Sequence, residues 1–125
     1  MDMYDQALDA IEIVVEAAIK AAGHKRVRVC YSAYESKDDV PINNLDQVAI
    51  AGKVVLVSSR SIFFGGSGSK DYRSEILESP TWLQVAVCAN EMIKITRDTH
   101  HCFFEGVEKI SVDGDVTVCK LVMGS

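Results

Sequence analysis

Residues 79–125 read SPTWLQVAVCANEMIKITRDTHHCFFEGVEKISVDGDVTVCKLVMGS, and this stretch decides the fold. Ser79 is placed to cap a helix, with its hydroxyl accepting a free backbone N–H and Pro80 at the first helical position losing no donor. Trp82, Val85, Ala86, Ala89, Met92, Ile93 and Thr96 then recur at helical spacing, so one face of this helix is predicted to lie on a core. Arg97 and Asp98 end the pattern. Phe103-Phe104 opens a β-rich run, and Asp113-Gly114 between two apolar runs predicts a hairpin.

Two registers are open to that hairpin. A three-residue loop with a bulge sets Glu108 opposite Lys120, Val107 opposite Leu121 and Ile110 opposite Val118. A two-residue loop instead faces Glu108 with Cys119 and Val107 with Lys120. The first joins opposite charges and like apolar groups, so cross-strand pairing favours it.

Upstream, Asp2 or Asp5 can cap a first helix whose apolar stripe is Ala7, Ile11, Val14, Val15, Ala18, Ile19 and Ala22, with Gly23 as its left-handed stop. From Arg26 to Tyr34 the period changes to two. Val27, Val29, Tyr31 and Ala33 alternate with Arg26, Arg28, Cys30 and Ser32, as in a half-buried strand. Residues 35–46 are polar and carry Pro41 and Asn43-Asn44, which predicts irregular chain, with Val48 to Ile50 leading into the next strand. Lys53 to Ser58 is nearly all apolar and β-branched and fits a strand buried on both faces. Ile62-Phe63-Phe64 adds a short strand before the Gly65-Gly66-Ser67-Gly68-Ser69 loop, and Tyr72 to Glu78 is expected to form a turn of helix.

The two halves share an order of helix, strand, connection, strand. Ala18-Ile19-Lys20 precedes Cys30-Tyr31 much as Met92-Ile93-Lys94 precedes Cys102-Phe103. The expected architecture is a single α+β domain over residues 1–125, two main helices packed on an antiparallel sheet, with a degenerate αββ repeat within it.

Composition narrows the partners. A 125-residue chain with 48% hydrophobic residues carries more apolar area than the high surface-to-volume ratio of so short a chain accommodates, so a homo-oligomer is expected. The net charge of −5 opposes binding to a phosphate backbone, and nucleic acid is not an expected partner. No run approaches the length of a membrane span. The start of the chain lacks the basic and apolar regions of a secretory leader, so a cytoplasmic location is expected. Cys30, Cys88, Cys102 and Cys119 lie far apart, without a C-x-x-C pair, and read as buried small hydrophobes in a reducing compartment.

The candidate chemistry centres on His100 and His101. Neighbours on a strand point to opposite faces, so the two cannot serve one site from one side. A metal site from His100 and Cys102 lacks a further ligand at metal spacing, and neither metal nor cofactor is expected. His101 is the candidate general base, with Asp98 or Glu105 fixing its tautomer. The plainer reading is that both imidazoles satisfy backbone groups at a strand start or meet a neighbouring subunit. Gly65 to Lys70 lacks the G-K-[ST] ending of a phosphate cradle and reads as a mobile loop or lid. Tyr31, Trp82, His100, His101 and Phe103 are the candidate ligand-binding residues, lining a hollow core should there be one. His101 is expected to point inward with Phe103 and Val107.

The run from Thr99-His100-His101 through Phe103 and Val107 to Val112-Asp113-Gly114-Asp115-Val116-Thr117-Val118 resembles the strand and hairpin of NTF2-like (SnoaL-like) domains. That resemblance implies a cone-shaped α+β fold around a small apolar molecule, with His101 at the position of an inward histidine. The chain departs from the family in lacking long strands after the hairpin and an evident initial helix pair. As a short, acidic single domain, it also resembles the small proteins carried on mobile integron gene cassettes. The expected function is a self-associating binding or interaction module for a small apolar ligand or a protein partner. The competing expectation is a small NTF2-like lyase, isomerase or hydrolase with His101 as base.

Overall fold

The computed structural model describes residues 3–35, 40–42, 44–58, 72–97 and 102–124. Helix α1 spans Met3–Ala21. Its buried stripe is Ile11, Val15 and Ile19, one residue per turn, while Val14 and the neighbouring Ile13 stay exposed. Gly23, at φ 96°, ends it in a Schellman motif: Gly23 N donates to Lys20 O at 3.0 Å and His24 N to Ile19 O at 3.3 Å. Asp5 falls inside the helix, and Asp2 lies outside the described residues.

Helix α2 spans Trp82–Thr96. Its cap is Thr81, not Ser79. The Gln84 amide donates to the Thr81 hydroxyl at 3.2 Å, and the Thr81 amide donates to Gln84 Oε1 at 2.8 Å, so two orphan donors are satisfied reciprocally. Ser79 has a left-handed backbone, φ 42°, and its hydroxyl accepts the Gly52 amide at 2.9 Å. Pro80 therefore precedes the cap. The helix stops at Arg97, φ 59°, whose amide donates to Ile93 O.

The chain forms an α+β fold whose larger sheet is curled into half a barrel. Its strands are β1 (Cys30–Tyr31), β4 (Lys53–Val57), β5 (Leu77–Glu78), β6 (Phe103–Asp113) and β7 (Val116–Gly124), in the order β1-β6-β7-β4-β5. A separate small ribbon pairs β2 (Tyr34–Glu35) with β3 (Val40–Pro41) inside the stretch read as irregular. The sheet is mixed where antiparallel pairing was expected. β6 and β7 form the antiparallel hairpin, but β1 runs parallel to β6 and β4 parallel to β7. The expected repeat of helix, strand, strand is not kept: β1 to β5 follow α1, whereas only β6 and β7 follow α2 among the described residues, and β1 and β4 lie apart on the two flanks of the β6–β7 hairpin.

The hairpin keeps two of the three favoured pairs. Val107 faces Leu121, and Glu108 faces Lys120 with the charges 3.4 Å apart. Ser111, not Ile110, faces Val118. The reason is that the loop has two residues, Gly114 and Asp115, with glycine at φ 63° in the first central position as a II′ turn requires. The register is then shifted by extra residues at Ile110 and Glu105, where the ladder bulges.

Residues 72–78 are extended, not helical. Ser74 Oγ accepts the Leu56 amide at 2.8 Å while the Ser74 amide donates to Leu56 O, so a serine side chain joins the β4 ladder and draws the segment along it. Val48 makes only a single bridge to Thr81, and the strand proper begins at Lys53, after Gly52 turns the chain at φ 88°.

Both helices pack on one side of the sheet over one core cluster, which includes Ile11, Val15, Ile19, Tyr31, Val54, Leu56, Val85, Ala89, Ile93, Phe104 and Leu121. Each large apolar side chain withdrawn from water contributes roughly 1.5–3 kcal/mol before ordering costs. Val54, Val55 and Leu56 are all buried, as a strand covered on both faces requires.

Candidate functional site

At the centre of the core stands Phe104, fully buried. Tyr31 meets it edge-on, with ring centroids 5.8 Å apart, and Trp82 lies tilted against it at 6.3 Å. The Tyr31 hydroxyl donates to Ile42 O at 2.8 Å, and burial pushes its phenol pKa up. Tyr31 and Trp82 thus each pack against a side chain, Phe104.

Phe103 is not part of this cluster. It is 40% exposed and faces away from the core, because the bulge at Glu105 shifts the alternation so that Phe104 and Val107 share the inner side. The expectation that Phe103 and Val107 lie together on the inward face is therefore corrected. His100, His101 and Asp98 lie outside the described residues, as do the Gly65–Lys70 loop and Ile62-Phe63-Phe64.

A cleft of about 150 Å³ opens between α1 and the extended segment leading into β1, lined by Glu12, Val15, Glu16, Val27, Arg28, Val29, Cys30 and Tyr31. Glu12 and Glu16 are one helical turn apart and share its wall. Among the described residues, the main chain of residues 26–29 pairs with no strand. Asn90 of α2, 1% exposed, holds it instead: its Oδ1 accepts the amides of Arg28 and Val29, and its Nδ2 donates to Arg26 O at 3.1 Å. Nothing in the apolar stripe of α2 announces this role. The only signal is an asparagine four residues beyond Ala86 and one before the buried side, where a polar group has to find partners.

Cys30 sits at the cleft, and its backbone amide donates to Cys102 O at 2.8 Å. Burial, then Cys102 and, less, Glu12 all push the Cys30 thiol pKa up, so the resting form is the thiol. Cys30-Tyr31 and Cys102-Phe103 occupy matching places in the two halves, but the parallel register of β1 with β6 is offset from that match by one residue, setting Cys30 opposite Phe103 and Tyr31 opposite Phe104. Among the described residues, no group of three or more His, Cys, Asp or Glu side chains is arranged to hold a metal ion. No described helix is long and apolar enough to cross a membrane.

Comparison with protein-family models, with curated proteins and with solved structures gives no match to this chain.

Proposed function

We propose that this protein is a self-associating interaction module, and that its binding surface is the outer edge of β6 near the hairpin tip. One observation carries this reading. β1 covers only Phe103 and Phe104 of the eleven-residue β6, so from Glu105 to Asp113 the edge has no strand partner among the described residues. That bare edge carries two exposed apolar residues between its charges: Ile110 is 52% and Val112 55% exposed. An unpaired edge of this kind is a template for a further strand.

A second copy is the occupant that fits. Two copies related by a two-fold axis pair antiparallel, and the residue on the axis faces itself. With Ser111 there, Ile110 meets Val112 of the partner subunit and Lys109 meets Asp113 of the partner subunit, so apolar and charged groups both find complements. The bulge at Ile110 twists the edge and limits pairing to this short stretch, which favours a closed pair over an open stack. The filled centre around Phe104 supports interaction over a chemistry that needs an enclosed cavity.

Sedimentation of charge variants tests the reading. Lys109→Glu places like charges across the axis and is expected to shift the protein toward monomer, and Lys109→Glu combined with Asp113→Lys to restore the pair. Association unchanged in Lys109→Glu and in Val112→Lys would contradict it.

A further inference from the structure

Away from its turn, the β6–β7 hairpin has a face floored by glycine. Phe103 pairs with Gly124 and Gly106 with Val122, so these four positions share the side turned from the helices, whereas Phe104, Val107 and Leu121 turn to the core. A β-carbon at Gly124 would stand 2.7–2.9 Å from the three atoms of the Glu105 carboxyl group. The carboxylate therefore lies over bare backbone, directly across the ladder from Phe103. Side chains opposed in this way start about 4.5–5.5 Å apart, so ring and carboxylate are neighbours. A β-carbon at Gly106 would meet nothing within 4 Å, and the floor beside them is open. The two acidic groups on this face differ. Glu108 is paired with Lys120 at 3.4 Å, while among the described residues no cation meets Glu105. Phe103 is 40% exposed, so its ring reaches water.

We propose that Phe103, Glu105, Gly106 and Gly124 form a binding site for a guanidinium group, carried by a small guanidine or by an arginine of a partner chain. The planar cation lies against the aromatic ring, whose face is negative, and its N–H fork donates to both carboxylate oxygens. Glycine at 106 and 124 lets a flat group approach the sheet with no side chain beneath it. An alkylammonium lacks the fork and the stacking plane and is more strongly hydrated, so guanidinium is preferred over it. The net charge of −5 favours the approach of a cation. The site lies on the face of the sheet and not on the Lys109–Asp113 edge, so it does not depend on self-association.

The test is a titration of the isotope-labelled protein, followed by the chemical shifts of its amides, with N-acetylarginine amide, a blocked Gly-Arg-Gly peptide and butylammonium. Saturable shifts are expected at Phe103, Glu105, Gly106 and Gly124, with a dissociation constant on the order of 1 mM for the free arginine amide. Butylammonium is expected to bind about threefold more weakly. Tighter binding of the peptide assigns the cation to a partner chain, and equal binding to a small guanidine. Glu105→Gln and Phe103→Ala should each weaken binding about threefold. Gly124→Ala, whose methyl group takes the place of the carboxylate, should act like Glu105→Gln while leaving the unfolding midpoint nearly unchanged, because the Glu105 side chain is free to swing away. The affinity should be the same at low and high protein concentration. Shifts that never saturate, shifts centred on Glu12 and Glu16 of the cleft, or equal affinity in the wild type and Glu105→Gln would overturn the proposal.

Discussion

The Asn90 side-chain oxygen accepts the Val29 amide at 3.0 Å, so a single buried amide on α2 takes the place of a ladder partner for the segment that leads into β1, which among the described residues pairs with no strand. The same side chain serves the Arg28 amide and the Arg26 carbonyl, and its role is therefore to satisfy backbone rather than to bind a ligand. Removing it strands two donors and an acceptor in a place water reaches poorly. Asn90→Ala is expected to cost about 3 kcal/mol in urea unfolding, since each orphaned group carries roughly 1–3 kcal/mol and part of the segment can rehydrate. A loss under about 1 kcal/mol would mean that the segment 26–29 is held by something else.

Phe104 and Phe103 are adjacent and chemically identical, yet one is wholly buried between Tyr31 and Trp82 and the other is 40% exposed. Phe104→Ala should therefore destabilise by about 3–5 kcal/mol, as large core deletions do. Phe103→Ala should cost about 1 kcal/mol or less. Equal losses would contradict the bulge at Glu105 that separates their faces.

The start of α2 offers a similar contrast. Thr81 makes both bonds of a reciprocal cap with Gln84, so Thr81→Ala should lower stability by about 1 kcal/mol. Helix content by circular dichroism should fall little, because the buried stripe of α2 holds the rest of the helix in place.

Alkaline pH should unfold the protein earlier than its exposed groups would suggest. Burial raises the phenols of Tyr31 and Tyr72 and the thiols of Cys30, Cys88 and Cys119 above their ordinary values, about 10 and 9. A group whose folded pKa is raised contributes stability that is complete below its unfolded pKa and lost as pH climbs from there toward the folded pKa. Chemical denaturation repeated between neutral pH and about pH 11 should therefore show stability declining from about pH 9 upward. Tyr31→Phe should flatten the upper part of that decline while losing the bond to Ile42 O at every pH.

Much of this architecture was open to reading from periodicity. The α2 stripe, the Ile11, Val15 and Ile19 part of the α1 stripe, the left-handed stop at Gly23, the doubly buried β4 and the pairing of Glu108 with Lys120 all follow from spacing and from complementary groups meeting, whereas Val14 and Ala22 of the α1 stripe are exposed. What escaped were features decided by a single hydroxyl or amide finding a distant partner. Ser79 and Thr81 are both competent caps, and the choice fell to Thr81 because Ser79 is committed to Gly52, across the loop. Ser74 turned a segment with helical composition into an extended one by bonding Leu56. The bulges at Glu105 and Ile110 reassigned faces that strict alternation would have fixed otherwise, which is why Phe104, and not Phe103, is the aromatic at the centre. Parallel flanking of the hairpin by β1 and β4 depends on crossovers that local pattern does not encode.

Self-association through the β6 edge is tested most directly by the mass of the unmodified protein by light scattering across a dilution series. The prediction is a species of twice the 13.7 kDa chain at high concentration, giving way toward 13.7 kDa on dilution. A mass of 13.7 kDa at every concentration up to the highest attainable would contradict it.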